Sequence, residues 1–236
     1  FMIINERNIK TWSTIGSRAT FGIAALELAK VIDNLMVLTC DVSTSAGLDR
    51  FRKTYPDKYL DLGIAEQNMI GVAAGLASEN FNVITTTFAP FQTMRCCEQI
   101  KVNLCSLNLP VAIIGAGAGF SFGYDGPTHH GHQDLSSMRL LPEMSILELS
   151  SNDLAQKSVN FSIENKGPVY IRLDKGPFPF FWGGEISFSK GFRILNPLQE
   201  INLITNGFMI RNVLKTAKSL KDIGIRCGVI DLFRVK

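Results

Sequence analysis

The chain has 236 residues, 46% hydrophobic and 19% charged, enough apolar content for a buried core and too much for a disordered segment. Its formal net charge of +3 comes from interspersed Lys and Arg with no basic block, which argues against nucleic acid as the main partner. No apolar run reaches the ~18 to 20 residues of a membrane helix; Met69 to Ala77 and Pro110 to Phe120 are short and broken by glycine, so no membrane span is expected.

In chain order, the first helical pattern is Thr20 to Val31, with Phe21, Ala24, Ala25, Leu28 and Val31 on one face. Apolar runs at Leu35 to Thr39, Val83 to Thr87, Val111 to Gly115, Ile146 to Leu149 and Val169 to Leu173 read as strands. Between them, Glu66 to Ser78 is small and apolar all round, as in a helix packed on several sides, while Phe91 to Leu107 and Asp153 to Glu164 are amphipathic. This alternation predicts an α/β fold with a doubly wound, mostly parallel sheet.

The aromatic, glycine- and proline-rich stretch Gly176 to Gly184 interrupts the pattern and reads as a linker. Beyond it, Asn202 to Thr205, a helix over 208–221 and Gly228 to Phe233 form one more β-α-β unit, a fragment of a second α/β domain. The expected division is 1–183 and 184–236. Phe1 precedes Met2, and no basic segment followed by an apolar stretch opens the sequence, so no signal peptide is expected. Five cysteines without CxxC or CxxH spacing (Cys40, Cys96, Cys97, Cys105 and Cys227) read as free thiols of a reducing, cytoplasmic setting.

Four features carry potential chemistry. Glu66 stands at the entrance of the nearly uncharged helix, either as a cap favoured by the helix dipole or as a buried carboxyl that shares a proton with a ligand nitrogen. The loop Gly115 to His132 follows a strand, is rich in glycine and holds all three histidines. Backbone there can approach a ligand closely. His129 and His132 have metal-like spacing, but no nearby cysteine or acidic pair completes a set, so no metal ligands are assigned. Phe88 and Phe91 lie three apart where a strand meets a helix, as core packing or as a platform for a flat heterocycle. Arg172 near a strand end and Arg18 near a helix start suit either a surface ion pair or an anion.

Together, Gly-Ile-Ala-Glu-Gln-Asn-Met at 63–69, Thr-Phe-Ala-Pro-Phe at 87–91, Asp-Gly-Pro-Thr-His at 125–129 and Ile-Arg at 171–172 resemble transketolases, in particular the C-terminal half of a split transketolase. The resemblance implies a pyrimidine-binding domain over 1–183 and the start of the C-terminal domain after it. It also implies a thiamine diphosphate enzyme that transfers a two-carbon ketol unit between sugars. By resemblance, Glu66 hydrogen-bonds N1′ of the aminopyrimidine and favours its imino tautomer, Phe88, Phe91 and Met94 line the pyrimidine pocket, and Asp41 lies near the cofactor. Asp125 and His129 match the pair that contacts sugar hydroxyls, with His129 placed to exchange protons. Arg18, Ser45 and Arg172 match positions that hold the phosphate end of the sugar.

Two departures stand out. Gly117 replaces a phosphate-contacting histidine of the family, and His130 and His132 accompany His129. The Gly-Asp-Gly motif that holds diphosphate and Mg²⁺ in the family does not occur in the sequence. The resemblance therefore implies a separate N-terminal-type subunit that completes the active site, self-association across it, and two copies of each chain in the assembly. Neighbouring readings are a deoxyxylulose-phosphate-synthase-like enzyme, a 2-oxoacid dehydrogenase β chain and a non-catalytic scaffold of the same fold.

Overall fold

The computed structural model describes residues 6–177 and 186–236. Helices α1 (Glu6–Ile15) and α2 (Ser17–Leu28) precede strand β1 (Leu35–Thr39), followed by α3 (Asp49–Thr54), β2 (Tyr59–Asp61), α4 (Glu66–Ser78) and β3 (Asn82–Phe88). Next come α5 (Ala89–Thr93), α6 (Cys97–Gln99), β4 (Val111–Ala116), α7 (Asp134–Arg139), β5 (Ser145–Glu148), α8 (Asn152–Glu164) and β6 (Val169–Leu173). The remainder comprises β7 (Phe192–Asn196), β8 (Ile201–Thr205), α9 (Ile210–Asp222) and β9 (Cys227–Leu232).

The first six strands form one parallel sheet in the order β2-β1-β3-β4-β6-β5. Successive side chains of a strand point to opposite faces, and the sheet divides its apolar residues accordingly. Val37, Ile84, Ile114 and Ile171 join the cluster under α2, α3 and α8, whereas Leu38, Val83, Ile113 and Tyr170 join the one under α4 and residues 97–105. Helices on both faces explain why these strands are continuous hydrophobic runs. β1 lies between β2 and β3, so the chain leaves it first to one side and then to the other. Crevices at the carboxyl ends of strands beside such a reversal are where open α/β sheets take ligands.

The expected helix over 91–107 is broken. α5 ends at Thr93, a turn spans 94–96, and α6 runs into a π-helical turn at Ile100–Cys105. In the second region the expected β-α-β unit forms from β8, α9 and β9, with β8 and β9 parallel, and β7 adds an antiparallel strand on the other side of β9. The stretch read as a linker lies mostly outside the described residues. Beyond β9 the chain returns to the large sheet: Phe233 is buried in its core, and Val235 N–H donates to the Ile146 carbonyl at 2.9 Å along the edge of β5. No described helix is long and apolar enough to cross a membrane.

Candidate active site

The side chains singled out in the sequence converge on the carboxyl ends of the parallel strands. Asp41 and Ser45 follow β1, Glu66 follows β2, Phe88 ends β3, the glycine and histidine loop follows β4, and Lys175 follows β6. The sheet thus brings together residues distant in the chain.

Glu66 opens α4 with its side chain only 4% exposed, and Arg95 Nη1 donates to its Oε2 at 2.7 Å. A carboxylate removed from water needs such a partner. Beside it, Phe88 and Phe91 meet at 6.1 Å between ring centroids, Phe88 and Phe122 at 4.7 Å, and the His129 ring stands edge-on to Phe91 at 5.2 Å. Phe91 is half-buried, so part of its ring remains open to a ligand. The flanking thiols share this apolar setting: burial pushes Cys40 up to about 11 and Cys96 up to about 12.

The three histidines part company. His129 joins the phenylalanines, with Thr128 Oγ1 3.0 Å from its Nδ1, while His130 and His132 pack on exposed Phe120 at 4.9 and 5.3 Å. Asp125 ends a short 3₁₀ turn in the same loop and is exposed. Met94 is exposed too, its sulfur accepting from Ser137 Oγ. Asp41 holds a left-handed backbone (φ 55°), secured by its N–H donating to Asp61 Oδ1 at 2.9 Å. Such strain persists only where its surroundings enforce it.

A cavity of about 320 Å³ opens between the start of α2 and the loop after β1, and Arg18, Thr44, Ser45 and Lys175 are among its lining residues. Arg18 Nη1 donates to the Ser45 carbonyl at 2.6 Å, and partial burial lowers its pKa. Lys175 Nζ donates to Tyr124 Oη at 3.0 Å and lies 4.7 Å from the Phe122 centroid. Neither cation has an ion-pair partner among the described residues.

Of the two readings of Arg172, the geometry shows the ion pair. Its side chain is 12% exposed; Nε donates to Asp134 Oδ2 at 2.7 Å and Nη1 to Glu148 Oε1, while Tyr170 Oη donates to the same Asp134 oxygen. Burial alone would lower the guanidinium's pKa, but the two carboxylates reverse this and raise it. Gly117 also has a structural counterpart. Its φ is 64°, and a Cβ there would lie 1.9 Å from Phe122 Cε2, so the Phe122 ring fills the space of a side chain at 117.

Sequence reasoning missed Arg95, Phe122 and Lys175. Arg95 sits four residues after Phe91, a helical spacing that marks a shared face, and Lys175 lies three residues past Arg172 at the same strand end.

Parallel strand order, with a buried carboxylate and partly open aromatic rings at the strand ends, defines an α/β domain with a candidate ligand site at the carboxyl edge of its sheet. Residues 13–179 match the family described as transketolase, pyrimidine binding domain, and the chain belongs to the transketolase family. It is 31% identical over 225 residues to a transketolase C-terminal section of Methanocaldococcus jannaschii, covering 94% of this chain and 71% of that protein. It is 32% identical over 200 residues to one of the subunits of the apulose-4-phosphate transketolase of Actinobacillus succinogenes, covering 84% of this chain and 64% of that one. A solved split-gene transketolase, described as an inactive β4 tetramer, superimposes with a TM-score of 0.82 at 32% identity, over 92% of this chain and 71% of its own. The chain therefore spans about two thirds of the length of these relatives.

Proposed function

We propose that this chain is the C-terminal-type subunit of a two-chain, thiamine diphosphate-dependent transketolase acting on phosphorylated sugars, in a reducing compartment such as the cytoplasm. The observation that supports it most is the buried Glu66 carboxylate beside the half-open Phe91 ring at the strand ends. These residues suit the aminopyrimidine half of the cofactor. Glu66 Oε1 is left to accept from or share a proton with N1′, Phe88 and Phe91 supply the flat apolar wall, and Asp41 and Met94 stand at its margin. For the other half, the Gly-Asp-Gly motif that holds diphosphate and metal by the resemblance does not occur in the sequence. Mg²⁺ and the diphosphate fall to an N-terminal-type subunit, in an assembly with two copies of each chain.

When bound, thiamine diphosphate supplies the carbanion chemistry of ketol transfer. This chain's residues orient and discriminate. His129, held against Phe91, reaches the reacting oxygen as a proton donor or acceptor, and Asp125 takes a sugar hydroxyl. Arg18 and Ser45, with Lys175 beside them, receive the anionic end of the sugar. Arg172, ion-paired through Nε and Nη1 with Asp134 and Glu148, fixes the loop between β4 and α7, and any phosphate contact falls to its remaining N–H groups.

The test is calorimetric titration of thiamine diphosphate with Mg²⁺ into the chain alone and mixed with its N-terminal-type subunit. Binding is expected only in the mixture, where Glu66→Gln should cost at least about 100-fold in ketol transfer. Turnover by the chain alone, or a Glu66→Gln variant as fast as wild type, would sink the reading.

A further inference from the structure

We infer that Arg95 is a positioning residue of the cofactor site, one side chain that fixes both Glu66 and Phe91 for the incoming aminopyrimidine; the inference rests on the function proposed above. Its guanidinium makes two contacts at once. Nη1 donates to Glu66 Oε2 at 2.7 Å, and Cζ lies 4.3 Å from the centroid of the Phe91 ring. A guanidinium can do this because it is planar and delocalised, stacking through its face while donating through its edge, whereas an ammonium is a point charge. Contact with one carboxylate oxygen leaves the other to a ligand nitrogen, and Phe91, held by the cation, keeps part of its ring exposed.

The backbone supports the same arrangement. Arg95 lies in the turn that separates α5 from α6, and Gln67 Nε2 donates to its carbonyl oxygen at 2.9 Å. Consecutive residues at the start of α4, Glu66 and Gln67, thus grip the side chain and the main chain of Arg95. Among the described residues Glu66 has no second ion-pair partner, so the direction of its carboxylate depends on this contact. The Arg95 side chain is 42% exposed, so replacing it opens no hole in the core.

The experiment measures thiamine diphosphate affinity calorimetrically, with Mg²⁺ and the N-terminal-type subunit, for wild type, Arg95→Gln and Arg95→Lys, each also in a Glu66→Gln background. Arg95→Gln should weaken binding about tenfold, the scale of losing a hydrogen bond to a charged group. Arg95→Lys, which keeps the charge but not the plane, should fall between. In the Glu66→Gln background the Arg95→Gln loss should shrink to less than about threefold, because residues acting through one another are non-additive. Unchanged urea midpoints for the Arg95 variants separate the effect from folding. Equal or tighter binding by Arg95→Gln, or the same loss in both backgrounds, overturns the inference while leaving the proposed function standing. Absence of binding by the wild-type pair overturns both.

Discussion

The two sheets are built to different standards of burial. Every residue of β4 and β5 is buried, as are all but one of β1, whereas in β7 and β8 Phe192, Ile194, Ile201 and Ile204 are exposed. The reason is coverage: helices pack on both faces of the six-stranded sheet, while the small sheet has the α9 contacts through Ile210, Ala217 and Val229. Glu66, Phe88, Phe91 and His129 all stand on the fully covered sheet. A site that must hold atoms to fractions of an ångström belongs on the element whose strands cannot shift.

A buried polar junction joins the two regions, and breaking it should give the largest effect. Arg193 of β7 donates to Asp231 and Asp153 at 2.9 Å each and to Ser151 at 2.7 Å, tying the small sheet to the start of α8. Arg193→Ala leaves two buried carboxylates without their cation and should cost about 3–5 kcal/mol in urea unfolding; a loss below about 1 kcal/mol would mean the regions are held by other contacts. The contrast itself is sharpened by a matched pair. Ile84→Ala, in the large core, should cost about 2–5 kcal/mol, and Ile204→Ala, 64% exposed on β8, less than about 1 kcal/mol. Equal losses would show that the small sheet's outer face is covered in solution.

The last test concerns pH. Burial pushes Cys40 and Cys105 up to about 11 and Cys96 up to about 12 from an ordinary 9.0, and all three lie in the large region. Between pH 9 and these values the folded chain retains protons that the unfolded chain releases. Stability contributed by the neutral thiols is therefore complete below pH 9 and lost as pH rises through the window, at no more than about 1.4 kcal/mol per pH unit for each thiol. Urea unfolding at pH 8 and pH 10 should show this loss, and Cys96→Ala should reduce it. A pH-independent midpoint would contradict the burial of these thiols.

The large sheet was legible because its signal is local. β1, β6 and α4 have the limits read from hydrophobic pattern alone, and β3 and β4 extend beyond theirs by one residue at most at each end. β2 escaped notice because three exposed or half-exposed residues carry no periodicity. The helix break at 94–96 was invisible because the amphipathic pattern runs straight across it, although the turn is what delivers Arg95 to Glu66. Motif spacing pointed to Glu66, Phe88, Phe91 and His129, and the fold assembles them. For Arg172 the sequence left an ion pair and an anion site open, since its carboxylate partners lie 24 and 38 residues away in sequence and meet it only through the sheet. A lone arginine in a sequence shows its charge but not its counter-ions.

Gly117 and Phe122 form a ratchet. A mutation that installs histidine at 117 drives its Cβ into the Phe122 ring, so a histidine-lined pocket is closed to a single substitution. The path reopens only after Phe122 has been reduced, and that change strips a ring from Phe88 and a neighbour from Lys175. The residues at 117 and 122 are thus coupled, and the space they share is set by the pair and not by either alone.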